Sequence, residues 1–502
     1  MIIFEGRSNE RPSTSEPRVA EARKAGYTRD DARAGGRTMT RFSRLAFALL
    51  LLGISASLQC RRAAGESRDP VEREAEDSLI GYLRIDTTNP PGNETAGALY
   101  LQQLLRKEQI ESTLIGSDPK RQSLYARVVS GSPAPALLLL HHIDVVPADA
   151  SEWTEPPFSG ARSAGYIWGR GALDTKGLGI AELMAIVNLK RHRSALRRDI
   201  IYLAVADEES GGLHGCGELL DRYPELFRNV GFVLNEGGYN ETIVDKVAFW
   251  GIEVVQKIPL WVRLRSKGAE EHSASPPDDG GTIARLLDAV AAVGRIPRPY
   301  RLTPAAIRYF HVLGPTKHDE RGAVMLDIER ALGTPRLEAL SPGYRAVLHD
   351  TMAITRISGG NSINAIPSAA TADIDMRLLP DTSPDAVLEQ IRGAVGQKAT
   401  LEVLLKAQAT GESDPASELF RAVSAAMRRS QPGSVVGPSV GAGTSDSRFF
   451  RQRGIAAYGI APFKVNYYDA STVHGINERI RARFFSEGVR LMREIVSRFC
   501  AA

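Results

Sequence analysis

The chain has 502 residues, 43% hydrophobic and 24% charged, the balance of an ordinary soluble globular protein with room for two or three domains. Its formal charge of +4 arises at the start: residues 1–59 carry ten Lys/Arg against six Asp/Glu, and residues 60–502 carry 53 of each. That neutrality gives no argument for nucleic acid, which wants a basic face, and three cysteines (Cys60, Cys216, Cys500) argue against a disulfide framework or a cysteine-built zinc site.

Residues 1–38 are polar and read as disordered, or as a stretch preceding a true start at Met39. In 39–60, "MTRFSRLAFALLLLGISASLQC", Arg41 and Arg44 precede the apolar run Leu45–Ile54, and small residues lead to Cys60. That is the layout of a secretory signal; the apolar run is short for a membrane-spanning helix. Cys60 reads either as a lipid-anchor acceptor, for which Gln59 is an atypical neighbour, or as an incidental cysteine after a cleaved signal. Either way the expected location is outside the cytoplasm: secreted, periplasmic or anchored to a membrane. Residues 61–75 read as a charged linker.

From about residue 76, short continuous apolar runs alternate with helical patterns. The runs "APALLLLHHID", "RRDIIYLAVADEE", "VGFVLNEGG" and later "RGIAAYGIAP" suit buried, mainly parallel strands, with "GIAELMAIVNLKRH" (179–192) as a crossover helix. Between 260 and 404 the pattern changes. "PLWVRLRSKG" and "AATADIDMRLL" alternate as half-exposed antiparallel strands do, and "TIARLLDAVAAV" and "DAVLEQIRGAV" suit covering helices. The expected architecture is an α/β catalytic domain in two parts (76–259 and 405–502), interrupted by a smaller α+β lid domain at 260–404. The segment 300–350 gives no clear pattern.

Three apolar runs end in groups suited to a metal, and strand carboxyl ends are where open α/β sheets collect ligands. Leu137–Leu140 leads to His142 and Asp144, Ile200–Ala206 to Asp207, Glu208 and Glu209, and Phe232–Leu234 to Asn235 and Glu236. Asp174 in "YIWGRGALDTKG" and His474 in "VHGINERI" add a carboxylate and an imidazole. This nitrogen and oxygen set suits zinc, cobalt or manganese, and a shared carboxylate allows two ions. Taken singly, each of these residues also reads as a strand-end cap or a solvent-facing acid. Strand parity separates the two histidines: His142 and Asp144 share a face, whereas His141 points the other way and reads as a packing residue. His214 and Cys216 read as loop and packing residues, and His192, His311, His318 and His349 as surface residues.

The ordered motifs "HHIDVVP", "WGRGALDTKG", "ADEES", "LNEGG", "GGNSINAIP", "DIDMRLLP", "GTSDSRFF" and "HGINERI" resemble the dinuclear zinc amidohydrolases of the aminoacylase, carboxypeptidase S and desuccinylase family, closest to the carboxypeptidase S-like branch. The resemblance runs from about residue 76 to 498. It implies two zinc ions per chain, with cobalt or manganese able to substitute. Asp174 would bridge them, His142 and Glu236 completing one site, Glu209 and His474 the other. Glu208 would be the general base acting on a metal-activated bridging water, and Asp144 the carboxylate that orients His142. Asn235 stands where relatives usually carry aspartate, one residue before the ligand. In the lid, His272 matches a histidine that stabilises the oxyanion, often from a partner subunit, although Glu271 replaces the usual glycine before it; a plain surface histidine is the alternative. Asn364 and Arg377 match substrate-holding positions. Arg377 would be a bidentate clamp for a substrate carboxylate or, alternatively, half of a strand-face ion pair within the lid. Gly443, Thr444 and Ser445 would line the substrate, with Asp446 in a structural role.

The expected activity is hydrolysis of an amide or peptide bond next to a free carboxylate, on a small peptide or N-acyl amino acid, with a homodimer through the lid. An aminopeptidase or deacetylase with the same metals is the alternative, as is a binding homologue without catalysis. The latter is disfavoured because all five ligands and Glu208 are present.

Overall fold

The computed structural model describes residues 69–502. The expected leader 1–38, the signal segment 39–60 with Cys60, and most of the linker 61–75 lie outside the described residues. The linker reading ends early, since a helix runs over Pro70–Leu83.

Eighteen strands are found among the described residues. The first part of the chain holds β1 (Ser112–Ile115), β2 (Ser123–Val128), β3 (Ala136–His142), β4 (Arg162–Ser163), β5 (Tyr166–Trp168), β6 (Ile200–Val205), β7 (Val230–Asn235), β8 (Tyr239–Ile243) and β9 (Lys246–Gln256). Next come β10 (Ile258–Lys267), β11 (Glu271–His272), β12 (Thr351–Gly359), β13 (Ala365–Ile366), β14 (Ala369–Leu378) and β15 (Thr400–Lys406). The last are β16 (Val435–Gly441), β17 (Ala456–Gly459) and β18 (Arg479–Arg481).

A nine-stranded mixed sheet runs in the order β1-β2-β6-β3-β7-β17-β9-β16, with β8 paired to β9. Its central strands β6, β3, β7 and β17 are parallel, and antiparallel pairs lie toward both edges. All seven residues of β3 are buried, as expected for a strand covered on both faces. The crossover helix Lys176–Arg191 is buried over thirteen of its sixteen residues and packs against the C-terminal helix Ala482–Cys500.

The second sheet, β12-β14-β10-β15, is wholly antiparallel. Period-two alternation gives it one apolar face: Ile258, Leu260, Val262 and Leu264 on β10, and Ala370, Ala372, Ile374, Met376 and Leu378 on β14. The helices Gly281–Gly294 and Pro384–Val395 cover that face. These elements are those the alternating pattern predicts. The unread segment is helical, with helices at Pro304–Leu313, Glu320–Leu326, Ile328–Ala331 and Pro342–Ala346. Pro304–Leu313 packs on β16 of the large sheet, close enough that a Cβ on Gly437 would stand 2.4 Å from Val312. The stretch 260–404 is therefore not one unit of packing.

Candidate metal centre

His142 closes β3, and its position follows from strand parity. Its Nε2 lies 3.0 Å from Asp174 Oδ1 and 3.8 Å from Glu236 Oε1. The other oxygen of Asp174 lies 3.0 Å from Nε2 of His474, which is 3.2 Å from Glu209 Oε2. Two sets able to hold a metal result, His142–Asp174–Glu236 and Asp174–Glu209–His474, and Asp174 belongs to both. His141 faces away, buried against Tyr202 and 3.3 Å from Glu182, the packing role expected of it.

The turn after β6 separates the adjacent acids. Asp207 takes a left-handed conformation (φ 72°), which aspartate tolerates better than most residues, and Glu208–Ser210 form a single short turn. Arg121 donates to Asp207 Oδ1 at 2.8 Å, and the His214 N–H donates to Oδ2 at 2.9 Å. Glu209 thereby turns toward His474, while Glu208 belongs to neither ligand set.

Asp144 meets His142 through both its backbone and its carboxylate. The ring of His142 donates through Nδ1 to the backbone carbonyl of Asp144 at 2.8 Å, whereas the carboxylate stands 3.6 Å away. That carboxylate also accepts from the backbone N–H groups of Glu208 (3.2 Å) and Glu209 (3.0 Å) and from the Asn89 amide (2.8 Å). Asp144 holds the turn that carries the two glutamates more closely than it holds the imidazole.

The electrostatics call for positive charge. Burial raises the Glu236 carboxyl to about 8, with His142 lowering it and Asp174 raising it. Burial and the neighbouring Glu236 push Glu208 well above the ordinary carboxyl range. Hydrogen bonds to Asp174 and Glu209 lift His474 to about 11. For His142, burial works against the charged ring, but the Asp144 and Asp174 carboxylates outweigh it and hold the pKa well above the ordinary value. Glu209 Oε1 is buried with no hydrogen-bond partner. Crowded carboxylates, a shared aspartate and an orphaned oxygen fit two divalent ions of the zinc class.

Gly443, Thr444 and Ser445 line a small cavity that also touches Glu236. Gln256 donates to Thr444 Oγ1 at 2.9 Å and to the Ser445 carbonyl at 2.8 Å, which fixes that loop. Asn235 donates to Ser447 Oγ at 3.0 Å rather than facing the ligand sets, and Asp446 is buried with neither carboxylate oxygen paired.

None of the lid residues belongs to either ligand set. His272 and Asn364 are exposed neighbours, joined by the Ser273 N–H donating to the Asn364 carbonyl at 3.2 Å. Arg377 is a correction to the clamp expectation: Asp375 takes its guanidinium at 2.8 and 2.9 Å, with Trp261 under the fork. This is the strand-face ion pair that the alternation along β14 also allows. His349 is half-buried against Tyr300 rather than at the surface.

Two residues that the sequence reading passes over hold the loops together. The buried carboxylate of Glu478 accepts from the backbone of Gly171 (3.1 Å), Leu173 (2.9 Å) and Asp174 (3.1 Å), and from Arg170 (2.8 Å). The other arm of Arg170 donates to the carbonyl of Gly475, beside His474, at 2.8 Å. Both residues sit inside motifs already singled out, "WGRGALDTKG" and "HGINERI".

Residues 138–498 match the Peptidase family M20/M25/M40. The frog Xenopus tropicalis protein "N-fatty-acyl-amino acid synthase/hydrolase PM20D1" is 30% identical over 425 residues, 80% of this chain and 81% of that one. Pig (Sus scrofa) aminoacylase-1 is 26% identical over 427 residues, covering 83% and 93%. Among solved structures, the M20 family metallo-carboxypeptidase Sso-CP2 from Sulfolobus solfataricus superposes with a TM-score of 0.66 at 20% identity, covering 84% and 98%. The chain belongs to the M20/M25/M40 peptidase family, a metal-dependent family, and is a hydrolase.

Proposed function

We propose that the protein is a dinuclear zinc hydrolase that cleaves the amide bond of an N-acyl amino acid, or of a peptide at its carboxyl end. The observation that carries this is the placement of Asp174, which gives one oxygen to each of two imidazole-containing sets, while Glu208 stands on the same turn as Glu209 but in neither set. His142 and Glu236 would hold one ion, Glu209 and His474 the other, and Asp174 both. When bound, the ions acidify a water and polarise the amide carbonyl. Glu208, left out of both sets, takes a proton on its carboxylate and returns it to the departing nitrogen. Relatives named as an aminoacylase and an N-fatty-acyl-amino acid hydrolase support the substrate class.

The lid reading extends this proposal. The edge strand β12 leaves Ile354 and Ile357 in solvent, and Ile283 of the covering helix packs beside Gly360 just past its end. An unpaired edge with apolar side chains supports a homodimer through the lid, in which His272 and Asn364 serve the metal centre of the partner subunit.

The test combines metal analysis with one substitution. About two zinc ions per chain are expected, and Glu208→Ala should keep them while kcat falls by roughly 10²–10⁴. Full activity in Glu208→Ala would overturn the mechanism. An N-acyl amino acid should be hydrolysed well and its carboxamide poorly; equal rates would remove the free carboxylate from the reading.

A further inference from the structure

A cavity of about 320 Å³ opens from the ligand pair Asp174 and Glu236. We propose that it is the acyl-chain pocket of the enzyme, selecting a medium to long aliphatic acyl group over acetyl; this rests on the hydrolase reading above. Its wall is mainly apolar, with Leu178, Tyr239, Ile460, Pro462, Phe463 and Val473 among the residues that form it. The charged groups in the wall outside the metal set are paired. Lys317 donates to Glu241 at 2.6 Å, the Tyr344 hydroxyl donates to the other oxygen of Glu241, and Arg321 is bound to Asp319. An aliphatic chain entering here therefore meets no lone charge beyond the metal ligands.

The rim continues the lining. Ile243 and Tyr467 line the cavity yet are 68% and 45% exposed, and their chain neighbours Val244 and Tyr468 are 81% and 76% exposed. Single exposed apolar residues are common on any surface, but large ones gathered at the mouth of an apolar cavity mark a binding lip. Ile243 ends β8, Val244 lies in the turn to β9, and Tyr467 and Tyr468 belong to the short helix Tyr467–Ala470.

The direction follows from what is missing from the wall. Asp174 and Glu236 line the cavity, whereas Glu208, Glu209 and His474 do not. Glu208 must face the departing nitrogen to deliver its proton, so the amine half of the substrate lies on that side and the acyl half faces the cavity. The same wall disfavours a peptide's free α-ammonium group, since Glu241 is already neutralised by Lys317 and Tyr344. Specificity for the acyl chain is thus placed in the large-sheet part of the molecule, at residues that hold no metal.

The zinc-loaded enzyme would be assayed on acetyl-, butanoyl-, octanoyl- and dodecanoylglycine below their micellar concentrations. Each added methylene is expected to raise kcat/KM by about fourfold until the cavity is filled. Ala461→Trp, at a partly exposed wall position, and Ile243→Ser, at the exposed lip, should each lower octanoylglycine hydrolysis by about threefold or more while acetylglycine stays within about twofold. Calorimetric binding of dodecanoate should weaken in parallel. A flat chain-length series, or a preference for acetyl, in an active enzyme would overturn the pocket and leave the hydrolase reading standing. No hydrolysis of any member, with dodecanoate binding still weakened by both substitutions, would overturn the hydrolase reading and leave the pocket.

Discussion

Asp174 reaches both imidazoles because the loop before it is held from behind. Glu478 collects three backbone N–H groups of that loop, and Arg170 ties Glu478 to the carbonyl next to His474. Glu478→Gln places an amide where only acceptors are useful, so one N–H of the loop loses its partner. The variant should fold, bind metal about 10–100-fold more weakly and lose activity in proportion, as measured by competition with a chelator. The two histidines of β3 make a paired test. His142→Ala should lose metal, whereas His141→Ala should keep it and be destabilised by roughly 2–4 kcal/mol through the cavity left beside Tyr202, read from metal content and urea unfolding. Retained metal in His142→Ala would contradict the assigned ligand set. His142, Glu209 and Glu236 were candidates because polar groups stand at the ends of apolar runs, and the resemblance to a known family placed Asp174 and His474 in the ligand set. Glu478 and Arg170 were not, because their partners are backbone groups about three hundred residues away, with 307 positions separating Glu478 from Gly171.

Among the elements, the lid sheet and its two helices were legible from period-two and helical alternation, since each buries one face. The helices between 304 and 346 were not. They are short, and their apolar residues meet strands from elsewhere in the chain, as Tyr309 meets Tyr239 at 2.6 Å between hydroxyls. The joint between the two sheets shows what such packing does. Lys257 alone separates β9 from β10, and its ammonium donates to the carbonyls of Ala346 and His349 and to Thr351 Oγ1, each at 2.9 Å. The amine fastens one crossing of the chain between sheets to another. Burial lowers its pKa to about 7, with Asp350 opposing the shift. The unfolded chain holds that proton more tightly, so Lys257 makes stability rise with pH from about 7 to 10.5, by at most about 1.4 kcal/mol per pH unit, and leaves it flat below. Lys257→Met should remove that slope, measured as the change in urea midpoint between pH 7 and pH 9.5; an unchanged slope would assign the proton elsewhere.

On the scale of the whole molecule, two linkages can be measured. Metal that binds only the folded chain stabilises it by mass action, so chelation should abolish activity and lower the melting temperature by several degrees, with zinc or cobalt restoring both. A melting temperature indifferent to chelation would argue against ions that join β3, the Asp174 loop and the His474 loop. The lid edge carries the second. Ile357→Asp should shift a dimer toward monomer in sedimentation, and if His272 serves the partner subunit, activity should fall with the dimer although the metal content does not change.

The kinds of element and the side of β3 on which His142 lies could be read from the sequence alone, because both depend on local rules: side-chain direction alternates along a strand, and apolar spacing follows helix or strand period. The full candidate ligand set came from the family resemblance. Tertiary structure decided the rest. It turned Asp144 toward the Glu208–Glu209 backbone, took the Arg377 fork with Asp375, and brought Glu478 behind Asp174. It also joined the β8–β9 hairpin, the helices after residue 304 and the 460–473 loop around one apolar cavity beside the metal ligands. Hydrogen bonds to distant backbone groups and cavities shared by separate segments leave no periodic trace in a single chain, so only the folded arrangement reveals them.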